Sequence, residues 1–164
     1  MTSSYNSCIN GCCKYEIRPY QRCAFTPKYK SKAGVFVINK THDKILLVQS
    51  RGNLWGPPKG SVEPDETTIE CAIREVFEET GLKLTPDNIG DNRKFVYNGS
   101  HYYYHDTDEV SVTLDTPMND LNDASGIGWF KIDCLIDMIK ADMISINFHC
   151  KLLLEYYLKL NVMI

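Results

Sequence analysis

The clearest pattern of apolar and polar positions lies between residues 33 and 49. Residues 33–39 (AGVFVIN) and 44–49 (KILLVQ) are short β-branched, aliphatic runs separated by the polar stretch Lys40-Thr41-His42-Asp43, and they predict a β-hairpin. Residues 55–60 (WGPPKG) read as a loop held by two prolines and two glycines. From about Glu66 to Thr80, Ile69, Ala72, Ile73 and Val76 recur at i, i+3, i+4 and i+7, which predicts a helix with one apolar stripe against a core. Gly81 follows as a left-handed C-terminal cap. Further strands are expected over 94–98, 101–105, 110–115 and 127–132. Helices are expected over 135–141 and 145–160, the second with Phe148, Leu152, Tyr156 and Leu160 in phase. Strands around a central helix, closed by helices, predict an α+β fold in which a mixed β-sheet lies between helical layers, an α/β/α sandwich.

The 164 residues suffice for one domain with a single core, and 43% hydrophobic with 24% charged residues is the composition of a folded globular chain. A net charge of -3 argues against binding nucleic acid by bulk charge, so any such contact needs a local patch. No apolar run approaches a membrane span, and the polar first ten residues lack a leader's basic and apolar regions. An intracellular, cytoplasmic protein without membrane contact is therefore expected, in the host cytoplasm if the source is viral.

Residues 1–32 read as an appended segment rich in cysteine, cations and aromatic rings, ahead of a main domain over 33–164. Four of the seven cysteines, Cys8, Cys12, Cys13 and Cys23, fall within it. A zinc site built from these four lacks the second C-x₂₋₄-C pair that structural zinc sites use, so reduced thiols are the expected state. Between residues 14 and 32 the cations Lys14, Arg18, Arg22, Lys28, Lys30 and Lys32 alternate with Tyr15, Tyr20, Phe25 and Tyr29. Such a pattern suits phosphate contact with base stacking, and equally an arm that packs its rings on the domain.

The chemistry concentrates between Gly60 and Leu82. At 100° per residue Glu75, Glu78 and Glu79 share one flank of the predicted helix, beside its apolar stripe. Glu75 and Glu79 form an i, i+4 like-charge pair near the helix C-terminus, where the dipole also disfavours anions. The helix would be more stable without them. A hard divalent cation with all-oxygen ligation, Mg²⁺ or Mn²⁺, would relieve the conflict.

Residues 60–82 fit G-x₅-E-x₇-R-E-U-x-E-E-x-G-U (U apolar) without mismatch, and in this they resemble the signature of the Nudix hydrolases. Seven fixed positions arise by chance on the order of once in a hundred million start sites. The resemblance implies the Nudix fold and hydrolysis of a diphosphate linkage. Glu75, Glu78 and Glu79 would be metal ligands or bases, Arg74 would orient a glutamate, and Gly60 would offer its carbonyl to the metal. Glu66 would pair with Arg74 or support the site. Asp123, with Asp120 as neighbour, stands where many relatives place a further acidic ligand or base, although an aspartate is one methylene shorter than the usual glutamate.

For the substrate two subfamilies compete. Residues 55–66 (WGPPKGSVEPDE) resemble animal-type diadenosine tetraphosphate hydrolases, whereas residues 71–81 (CAIREVFEETG) are similar to mRNA-decapping enzymes of eukaryotes and large DNA viruses. The decapping pattern W-G-F-P-K-G is matched except at Pro57. Residues 146–158 resemble the decapping enzymes' C-terminal helix, in which Lys151 and Lys159, helped by His149 and Lys140, would track RNA. About 30 residues precede the first strand, so the helical regulatory domain of cellular decapping enzymes is expected to be absent. Capped RNA is the leading substrate, with release of a methylated guanosine diphosphate. A dinucleoside polyphosphate is the alternative, followed by a diphosphoinositol polyphosphate and by a non-catalytic RNA-binding module. Lys59, Trp55, Tyr103 and Lys151 are the expected substrate contacts, Tyr103 because one face of residues 101–105 (HYYYH) would stack a base.

Overall fold

The computed structural model describes residues 2–20, 31–50, 53–112, 114 and 123–160. In chain order its strands and helices are β1 (Ser4–Ser7), β2 (Lys14–Ile17), β3 (Lys32–Asn39), β4 (Lys44–Ser50), β5 (Leu54–Gly56), β6 (Lys59–Ser61), α1 (Thr68–Thr80), β7 (Gly90–Tyr97), β8 (Ser100–Thr107), β9 (Gly126–Lys131), α2 (Ile132–Lys140), β10 (Ser145–Ile146) and α3 (Phe148–Leu158). The predicted hairpin is β3–β4. Its turn is tied by the Asn39 side chain, whose oxygen accepts from the backbone N–H groups of Asp43 and Lys44.

The main sheet runs β1-β2-β9-β4-β3-β8-β7. It is mixed, because β3 and β8 are parallel over Ala33↔His101 to Asn39↔Thr107 while its other neighbours are antiparallel. Short β5 and β6 flank Pro57-Pro58, β5 pairing with β4 and β10 and β6 with β3, so the expected loop over 55–60 is partly strand.

Alternation along the strands sorts two cores onto the two faces. Val35, Val37, Leu46, Val48 and Ile127 pack with Ala72 and Val76 of α1. Phe36, Ile38, Ile45, Leu47 and Phe130 pack with Leu135 and Met138 of α2 and Leu153 and Leu154 of α3. Each large aliphatic or aromatic side chain so removed from water contributes about 1.5–3 kcal/mol. The result is the expected α/β/α sandwich.

Residues 4–17 do not hang from this domain. β2 pairs with β9 through Tyr15↔Gly128, and Tyr15 is buried against Trp55 and Phe130. A ring in the core cannot stack a base, so of the two readings of the arm the packed one holds for Tyr15. Arg18 is likewise committed, its guanidinium donating to the carbonyls of Ala124 and Leu114. Arg22, Cys23, Phe25, Lys28, Tyr29 and Lys30 lie outside the described residues.

Two further elements differ from expectation. Residues 110–112 and 114 form no strand. Residues 145–146 form a short strand, and α3 starts only at Phe148, capped by the Asn147 side chain accepting from Cys150 N–H. The stripe of α3 is also rotated: Cys150, Leu153 and Leu154 are buried while Phe148 and Tyr156 are exposed. Apolar residues occur all round this helix, so periodicity along the chain alone does not choose the buried side.

Candidate active site

The carboxylate flank is carried by α1, which is set by its ends. Thr67 and Glu70 form a capping box at the start, and Gly81 closes the helix in the left-handed conformation (φ 76°), donating its N–H to Phe77 O. The box, T-x-x-E, is legible in the chain, and it places Glu66 just before the helix instead of within it. The buried face of α1 holds Cys71, Ala72, Glu75, Val76, Glu79 and Thr80, whereas Ile69 and Ile73 are only partly covered. Two glutamates therefore lie deeper than a position beside the stripe suggests.

Arg74 gathers the acids. Its guanidinium donates to both oxygens of Glu66 (2.7 and 3.0 Å), to Glu75 Oε1 (2.8 Å), to Glu78 Oε2 (3.1 Å) and to the Ser61 carbonyl (3.2 Å). The Glu66 carboxyl is held down at about 2 by Arg74 first, against burial. Glu75, 4% exposed, is pushed up to about 7, by burial first and by Glu78, against the pull of Arg74. Glu79, 5% exposed, is raised well above the usual carboxylate range by burial, then by Glu75 and Asp123, although Lys59 opposes this. Its Oε2 accepts the backbone N–H of Lys59 at 2.9 Å.

The β6 strand closes the site from the other side. A Cβ on Gly60 would stand 2.0 Å from the carboxyl carbon and Oε1 of Glu75, so only glycine lets the strand backbone approach the acid. Lys32 donates to Ser61 Oγ at 2.7 Å, and its charge also acts on Glu75. Lys59 and Lys32 both act on His149 of α3, whose pKa is lowered by burial first and then by these two cations. Lys32, Ser61 and His149 thus border the same site. In the sequence Lys32 stands out only as part of a basic arm and His149 only as an RNA-tracking helper, and Ser61 carries no signal beyond its place within the motif.

The structure therefore brings together Gly60, Glu66, Arg74, Glu75, Glu78, Glu79, Lys59 and Asp123. It does not bring Trp55 or Tyr103 to the surface of the site. Trp55 is 1% exposed, edge-on to Tyr15 and Phe130 in the core, and Tyr103 is 2% exposed with its hydroxyl hydrogen-bonded to Thr68 Oγ1 at 2.7 Å. The sequence points to both as substrate contacts, but each is enclosed by packing that a ligand would have to displace. Lys151 lies half-buried on α3, and Lys159 caps that helix with its Nζ donating to Tyr156 O. Lys140 is exposed at the end of α2, and Asp120 lies outside the described residues.

The donors on this flank are all oxygens, its buried carboxyls ionise only at a cost that a cation would remove, and a glycine opens the backbone beside them. This chemistry fits a hard divalent cation and suits neither zinc nor copper.

Comparison with known proteins agrees with this geometry. The family model described as NUDIX domain matches residues 28–149. The chain is 35% identical over 139 residues to the 111R protein of Invertebrate iridescent virus 3, covering 80% of this chain and 79% of that one. It is 35% identical over 123 residues to the m7GpppN-mRNA hydrolase of Saccharomyces cerevisiae, covering 71% of this chain but only 13% of the yeast protein. Among solved structures, the bifunctional NMN adenylyltransferase/ADP ribose pyrophosphatase of Francisella tularensis superposes with a TM-score of 0.55 at 24% identity, over 81% of this chain and 43% of that one, which is a likeness of fold. With the family model covering most of the chain and the glutamate motif intact, this protein belongs to the Nudix family and is a hydrolase of phosphoric anhydrides.

Proposed function

We propose that this chain hydrolyses the diphosphate linkage of an RNA 5′ cap, releasing a methylated guanosine diphosphate, with Mg²⁺ or Mn²⁺ as cofactor. The observation that carries the reading is the complete acidic flank of α1 against Gly60, within a chain whose likeness to a decapping hydrolase extends over most of its length. Glu75, Glu78, Glu79 and the Gly60 carbonyl would hold the cation. When bound, that cation supplies electrostatic stabilisation of the charge that develops on the diphosphate and lowers the cost of deprotonating the attacking water.

The protein's own groups do the rest. Arg74 keeps Glu75 and Glu78 from splaying into solvent, itself anchored by the two hydrogen bonds to Glu66. A carboxylate raised to about 7, as Glu75 is, is matched to accepting a proton near neutral pH, and burial raises Glu79 as well. Asp123, close enough to Glu79 to raise it, is the candidate further acidic ligand or base. Lys59 and Lys32 supply positive charge for substrate phosphates, and Lys151 extends that charge along α3 toward an RNA chain, with His149 beside it as a neutral hydrogen-bonding group. Trp55 and Tyr103 support the site from within the core. Action on RNA would place the protein in the cytoplasm. Among the described residues no helix is long and apolar enough to cross a membrane.

Pro57 favours a second reading, a dinucleoside polyphosphate as substrate, because the Pro57-Pro58-Lys59 approach resembles that subfamily. Side-by-side assay of cap-labelled RNA, free cap dinucleotide and diadenosine tetraphosphate separates the two. Preference for long RNA that weakens with salt supports decapping. Preference for the tetraphosphate overturns it.

A further inference from the structure

Far from the acidic flank in composition, the turn between β1 and β2 and the start of α2 bring four sulfurs together. The Sγ atoms of Cys8, Cys12, Cys13 and Cys134 all lie within 4.8 Å of one another. Cys12 Sγ is 3.6 Å from Cys8, 3.7 Å from Cys13 and 3.2 Å from Cys134. Four thiolates at about 2.3 Å from a tetrahedral zinc ion stand about 3.8 Å apart, so these separations need only small side-chain adjustment.

A second observation is independent of this clustering. N–H groups point at three of the four sulfurs: Cys13 N–H at Cys8 Sγ (3.3 Å), Lys131 N–H at Cys13 Sγ (3.2 Å) and the Asn10 side-chain amide at Cys134 Sγ (3.5 Å). Donors placed around sulfur stabilise thiolates and orient them as ligands. Lys14 and Lys44 border the same cleft as Cys12 and Cys13, together with Glu16 and Glu109, the latter paired with Lys44 at 2.9 Å.

We propose that Cys8, Cys12, Cys13 and Cys134 bind one zinc ion as a closed structural site that staples the β1–β2 hairpin to the start of α2. Binding releases the thiol protons as Zn²⁺ takes four Zn–S bonds, with no change of oxidation state. All four positions are filled by protein, so no site is left for substrate or water, and the role is stability. The second cysteine pair that the N-terminal spacing lacks is completed by Cys134, 122 residues beyond Cys12. Cys71 and Cys150, each buried elsewhere, take no part.

The test uses the full chain. Elemental analysis after dialysis should find about one zinc per chain, and loading with Co²⁺ in its place should give the intense thiolate-to-cobalt charge-transfer absorption that carboxylate ligands cannot produce. Cys12→Ser and Cys134→Ser should lose the band, while Cys150→Ser and Glu78→Gln should keep it. In case the first pair fails to fold, the unaltered protein is read alone: stripping its metal should lower Tm and open Cys12 to alkylation, and zinc should restore both. The proposal is overturned by an absent cobalt band, by a band that survives Cys12→Ser, or by a disulfide among these four cysteines in protein that has never held metal.

Discussion

Glu75 fills the space that a side chain on Gly60 would need: a methyl on the glycine would stand 2.0 Å from the carboxyl carbon of the glutamate. In the proposed site this contact would let the β6 backbone and the α1 acid face one cation together. Gly60→Ala should therefore displace Glu75 and lower kcat/KM by about 10²-fold, the size of effect that a misplacement of about 1 Å produces. Steady-state kinetics beside circular dichroism will check this, and near-normal turnover of the alanine variant would mean that the contact is not functional.

Glu79 is buried and raised in pKa, so its ionised form costs stability in the absence of a cation. Glu79→Gln keeps an oxygen for the Lys59 N–H and removes the charge. Turnover should fall by about 10²–10⁴-fold, the contribution of a proton-transfer group, while metal-free Tm stays level or rises. Chelation should likewise stop turnover of the unaltered enzyme, with recovery on adding Mg²⁺ or Mn²⁺.

Arg74 forks onto Glu66 and also holds Glu75 and Glu78. Lysine keeps the charge but not the fork. Arg74→Lys should cost about 1–3 kcal/mol in denaturant unfolding and should lower kcat more than it raises KM. Unchanged stability would show that the hydrogen bonds are dispensable.

His149 donates to or accepts from Tyr102 OH, and burial, then Lys59 and Lys32, hold its pKa below the usual 6.5. The folded state therefore disfavours the imidazolium. Its contribution to stability is present above pH 6.5 and is lost progressively as pH falls below it, because the unfolded chain takes the proton first. Denaturant midpoints measured between about pH 8 and pH 5 for the unaltered protein and for His149→Gln should differ by this slope, the difference removing the opposite trend that the raised Glu75 carboxyl adds to both over the same range.

Arg18 fastens the segment before β9 through its hydrogen bonds to Ala124 and Leu114 carbonyls. Arg18→Ala should cost about 2 kcal/mol and loosen the backbone beside Asp123, seen as faster amide exchange at residues 123–125. Protection equal to the unaltered protein would remove this role.

Local pattern was enough for the β3–β4 hairpin, for α1 with its Gly81 cap, and for the acidic flank with Arg74, since each depends on neighbours within a few residues. The Gly60-to-Leu82 spacing carried the chemistry because a single turn–helix unit presents the acids. Other features depended on contacts between distant segments. Trp55 and Tyr103 were enclosed by partners from other elements, the buried side of α3 was selected by the sheet it lies on, and residues 110–112 found no strand partner among the described residues. Cys134 met the N-terminal thiols only because β2 pairs with β9 and α2 follows β9 directly. Order along a chain specifies what each segment is able to form. Which faces are covered, and which sulfurs or carboxylates converge, is decided when strands far apart in sequence share one sheet.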